Sequence, residues 1–81
     1  MLAVKDISAA RKFYIFAANA GSARAAAALA RTYDPAFLPR FGVIGLKADP
    51  AKALEWYHKA AELGDADAAA RLRTWNVEAS R

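Results

Sequence analysis

No cysteine occurs in the chain, so neither a disulfide framework nor a thiolate zinc site can hold it together. Histidine is nearly as scarce. His58 stands alone, which is too little for a histidine-based metal site, and no cofactor is expected. β-Branched residues are few, and alanine dominates with Leu, Lys, Arg and Glu in support, a mixture that favours helix over strand. Long apolar runs are also missing: no stretch approaches the roughly 20 apolar residues of a membrane span. Nor do the first ten residues read as a secretory signal, because Asp6 interrupts them and Arg11-Lys12 follows where an apolar core would run on. Without either feature the expected compartment is cytoplasmic by default. What remains suits one small unit. The 81 residues leave room for a single domain with a modest core, and aromatics from Phe13 to Trp75 exclude a disordered tail.

The formal charge of +4 is uneven. Seven basic and two acidic residues lie between Met1 and Lys47, against five basic and six acidic from Ala48 to Arg81. A basic first half suits an acidic partner, although a solvated helix face, which needs no partner, is the simpler account.

An internal repeat organises the chain. Displaced by 43 positions, Asp6 falls on Asp49, Ala10 on Ala53, Tyr14 on Tyr57, Gly21 on Gly64 and Leu29 on Leu72, while Phe13 meets Trp56. No gap is needed. Each copy reads as two helices joined by a tight turn, the first over residues 6–33 and the second over 49–75. In the second copy Asp49 caps a helix that Pro50 opens. Ala53, Trp56, Tyr57, Ala60 and Ala61 recur at helical spacing as one apolar stripe. Gly64 ends that helix in the left-handed conformation, and Asp65 caps the next, from Ala66 through Ala68 to about Trp75. The first copy places Asp6 as cap, a helix to about Ala20, Gly21 as stop, Ser22 as the next cap, and a second helix to about Tyr33. Asp34-Pro35 then breaks the helix. Residues 34–48 are too apolar for a flexible linker, with Phe37, Leu38, Phe41, Val43, Ile44 and Leu46, and read as an ordered connector packed over the junction. Residues 76–81 form a tail.

These residues resemble the Sel-one-like repeat family, relatives of the tetratricopeptide repeats. The stretch Ala53-Leu54-Glu55-Trp56-Tyr57-His58-Lys59-Ala60-Ala61-Glu62-Leu63-Gly64-Asp65-Ala66-Asp67-Ala68 carries the resemblance closely. Ala10 to Ala25 carries it less closely, keeping Phe13-Tyr14 and Ala17-Ala18 but placing Phe16 where Lys is usual. The resemblance implies an all-α superhelix of two helix–turn–helix repeats. It also implies a non-catalytic scaffold for protein partners, often in bacterial envelope, secretion or signalling settings, and leaves open whether the chain is complete or a C-terminal piece of a longer solenoid.

No catalytic or metal-binding constellation is expected. His58 lies on the polar side of its helix, where Glu55 and Glu62 are ordinary surface neighbours. Asp65 and Asp67 fit the first turn of a helix, where acids complement the dipole. Gly42-Val43-Ile44-Gly45 lacks the ending of a phosphate loop. An organelle transit peptide would also be basic and amphipathic, but it would not share a capped helix–turn–helix with the rest of the chain. The expected contact residues are Phe13, Ile15 and Phe16, with Arg11 and Lys12 beside them. The run Phe13-Tyr14-Ile15-Phe16 cannot all face one side of a helix, and exposed apolar surface marks an interface or self-association. The alternative is a small basic nucleic-acid-binding protein using Arg11, Lys12, Arg24 and Arg31.

Overall fold

The computed structural model describes residues 4–41 and 47–79, and every described element is helical. Four α-helices follow in order: α1 (Val4–Asn19), α2 (Ala23–Tyr33), α3 (Pro50–Glu62) and α4 (Ala66–Ala79), with a single 3-10 turn at Leu38–Phe41 between α2 and α3. α1 packs on α2, α2 on α3, and α3 on α4. This serial contact gives two stacked helix pairs, the all-α repeat architecture the internal repeat requires.

The turns inside each pair follow from local chemistry. Gly21 and Gly64 adopt φ of +101° and +102°, a region that costs little only without a Cβ. The Ser22 hydroxyl accepts from the Ala25 N–H at 3.1 Å, the Asp49 carboxylate from Lys52 at 3.2 Å, and the Asp65 carboxylate from Ala68 at 2.7 Å. Each satisfies a first-turn donor that the helix leaves unpaired. Asp6 does not act this way. α1 begins at Val4, which places Asp6 in its first turn, where the charge complements the helix dipole. α4 runs on past Trp75 to Ala79, because no Gly or Pro stops it before then.

The core is made largely of alanine. Ala18, Ala26, Ala27, Ala30, Ala53, Ala60 and Ala68 form one buried cluster around Tyr57, with Trp56, Leu72 and Trp75 packed at its edge. Small side chains let the helix backbones approach, and the aromatics fill the wider gaps. The described ends of the connector lie against α2. Leu38 is buried, Phe37 is half-buried, and the Asp49 N–H donates to the Tyr33 carbonyl at 2.9 Å, closing the loop back onto α2. Gly42-Val43-Ile44-Gly45 and Leu46 lie outside the described residues.

Candidate protein-binding surface

Two places bring side-chain chemistry together: a buried polar junction between the repeats, and the open side of the first pair. The junction centres on Asp34, which is fully buried. Pro35 forces the chain out of helix at this residue, and the carboxylate turns inward. Oδ2 accepts from the Tyr57 hydroxyl and from Arg71 Nε, both at 2.8 Å. Oδ1 accepts from the Ala36 N–H at 2.8 Å and from a second Arg71 nitrogen at 3.2 Å. Arg71 also lies 4.7 Å from the Trp75 ring centre and reaches Glu78 at 3.3 Å. One carboxylate thus ties the end of α2 to both helices of the second repeat.

The protonation states follow from that geometry. Burial pushes the Asp34 carboxyl up, but Arg71, the Ala36 N–H and the Tyr57 hydroxyl outweigh it and hold it below its ordinary value. Burial and the Asp34 charge push the Tyr57 phenol well above its usual range, and the same carboxylate raises Arg71. Asp34 therefore stays ionised while Tyr57 and Arg71 keep their protons near neutral pH, so the junction clamps rather than shuttles protons. Sequence reasoning took Asp34 only as a helix stop. Its partners are 23 and 37 residues away, and nothing local marks them.

The residues of the repeat motif divide by role. Ala53, Tyr57, Ala60 and Ala68 are core; Trp56 and Ala61 pack against it; Asp49 and Asp65 cap; Gly21 and Gly64 turn the chain; Ala66 is exposed. His58 is exposed. Among the described residues, no three His, Asp or Glu side chains come together as metal ligands would. No described helix is long and apolar enough to cross a membrane.

On α1 the apolar run splits. Tyr14 turns toward the core, and Ile15 is half-buried. Phe13 and Phe16 are 66% and 77% exposed, an unusual state for two phenylalanines on one helix side. Lys12 is exposed beside them. Arg11 is not free: it donates to the Thr32 hydroxyl at 3.0 Å and to the Thr32 carbonyl, and its guanidinium lies 3.9 Å from the Tyr33 ring centre. It joins α1 to the end of α2. Next to the phenylalanines, Phe13, Tyr14 and Ala17 of α1 and Arg24, Ala28 and Arg31 of α2 line a groove of about 450 Å³.

Comparison with known families agrees with this architecture. The Sel1 repeat model matches residues 3–22 and 23–65. The second match spans 43 residues, the same length as the internal displacement, and it runs across the α2–α3 junction that Asp34 holds. Comparisons with curated proteins and with solved structures gave no significant match. Sel1 repeats are generally non-catalytic scaffolds for protein interaction. On its sequence match and its stacked helix pairs, the chain belongs to the Sel1 repeat family.

Proposed function

We propose that this chain is a non-catalytic scaffold that holds another protein against the outer side of α1. The observation that carries this reading is the exposure of Phe13 and Phe16, three residues apart on one helix, with the exposed Lys12 beside them. Covering such a side chain contributes about 1.5–3 kcal/mol, and exposed aromatics are enriched where proteins meet. Ile15, next to Phe16 in the chain, is half-buried. The non-catalytic part is supported by the described polar groups: the buried carboxylate is committed to Tyr57 and Arg71, and His58 stands apart in solvent.

Placing the photoreactive residue p-benzoylphenylalanine at Phe16, and separately at His58, tests the reading in cells making the protein. Protein adducts at position 16 that are missing at position 58 are the expected result. Equal labelling at both positions would defeat the assignment of the surface. Adducts dominated by nucleic acid, lost steeply as salt rises, would favour the basic nucleic-acid-binding alternative through Lys12, Arg24 and Arg31.

A further inference from the structure

The two repeats offer the same helix face twice, and among the described residues only one copy is covered. In the second repeat, Ala53, Tyr57 and Ala60 of α3 are exposed by 1% or less, with α2 packed on that helix and Asp34 at its end receiving the Tyr57 hydroxyl. Displacement by 43 positions carries these three residues onto Ala10, Tyr14 and Ala17 of α1, and all three are only half-buried. Among the described residues no group accepts a hydrogen bond from the Tyr14 hydroxyl. The groove beside Tyr14 is therefore the counterpart of a surface that, one repeat later, is occupied by a helix ending in a carboxylate.

The lining says what charge the occupant carries. Arg24 and Arg31 stand in the groove where the second repeat has Asp67 and Thr74, and no acidic side chain among the described residues lines it. Arg71, which supplies the positive charge at the second junction, is replaced by Ala28, with Arg31 one turn away. A second copy of the chain does not match this lining through its α4. At the positions equivalent to Ala30, Tyr33 and Asp34, α4 carries Arg73, Asn76 and Val77, so it would bring a cation toward two arginines and no carboxylate toward Tyr14.

We infer that the groove between α1 and α2 docks a single acidic helix of a partner protein. Its docked face carries small residues, and a carboxylate at its C-terminal end accepts from Tyr14. This is helix-in-groove recognition, and it rests on the scaffold reading above while naming the chemical class of the partner.

A fluorescein-labelled peptide reproducing residues 22–36, with Arg24→Glu and Arg31→Glu, is the probe, titrated with the full chain by anisotropy. It keeps the alanine face and the terminal Asp34 of the helix that fills the second site, and it is net acidic. Binding is expected, weakened about fivefold by Tyr14→Phe in the protein or by Asp34→Asn in the peptide. The same peptide with both arginines retained should bind about threefold more weakly at low salt. Ala28→Trp, which fills the groove, should abolish binding with helix content unchanged by circular dichroism; should that variant unfold, Tyr14→Phe decides. No binding, or an affinity indifferent to Tyr14→Phe, overturns the inference. So does a parent chain that is dimeric and becomes monomeric on Ala28→Trp, since a second copy would then fill the groove. Adducts at Phe16 without peptide binding remove the groove assignment and leave the scaffold reading standing; peptide binding without adducts at Phe16 keeps the groove and removes the contact assigned to the outer side of α1.

Discussion

Burial alone would keep a carboxyl such as Asp34 protonated, because an ionised carboxylate loses its water on entering a protein interior. Four donated hydrogen bonds reverse that outcome. With the folded value held below the unfolded one of about 3.9, the stabilisation is fully present above about pH 4. It is lost as the pH falls through the folded value. Asp34→Asn should therefore flatten the acid limb of a melting-temperature profile below about pH 4; a parallel acid limb in parent and variant would contradict the clamp. Removing the carboxylate with Asp34→Ala leaves Arg71 partly buried without its main partner, a loss of about 3 kcal/mol, readable by urea denaturation. Tyr57→Phe removes one donor while Arg71 still serves Oδ2, so its cost should be nearer 1 kcal/mol. Gly64 poses a different residue-scale question. A Cβ added there would meet nothing within 4 Å, so the penalty of Gly64→Val comes from backbone conformation alone, about 1–2 kcal/mol. Glu62→Val, on the exposed side of α3, should cost less. Equal melting temperatures for the two variants would remove the helix-stop role.

At the scale of whole helices, stability rests on how closely α2 approaches its neighbours. Ala26 and Ala30 of α2 are fully buried, so a larger side chain there must push α2 and its neighbours apart. Ala30→Leu should cost about 1–3 kcal/mol. Ala28→Leu, on the same helix but facing the open groove, should cost little, and the difference between the two melts tests the packing order directly. Most of these helices and turns were legible beforehand. Caps and stops act within three or four residues, so Ser22, Asp49, Asp65, Gly21 and Gly64 announce themselves by type and position. The start of α1 was not legible in the same way. Asp6 fits a cap by composition, but Val4 already continues the helix upstream of it.

Across the whole molecule, the contrast is between an apolar open side at α1 and a more polar outer face at α4, where Arg73 and Asn76 are exposed. Repeat proteins depend on polar outer faces at their ends for solubility. Phe16→Lys, the residue type at position 59 of the second repeat, should make the chain less prone to self-associate, with stability changed by no more than about 0.5 kcal/mol. Ile15→His should cost more, since Ile15 is half-buried. Light scattering with thermal melts separates the two effects, and a Phe16→Lys chain that unfolds would show that Phe16 is core. His58→Ala, on a solvated face, should leave both folding and peptide binding unchanged.

The sequence by itself determined the helices, the caps at Ser22, Asp49 and Asp65, the glycine turns and the two-fold repetition, because these depend on groups within a turn or on identity at a fixed spacing. The tertiary structure alone decided which repeated positions are covered. Tyr14 and Tyr57 occupy equivalent places in the repeat, yet Tyr57 is sealed beneath α2 and bonded to Asp34 while Tyr14 lines an open groove. Arg11 shows the same limit: its sequence reads as a surface cation, and the fold bonds it to Thr32. Burial and partnership belong to what packs on a residue from elsewhere in the chain, and that is settled only when the helices stack.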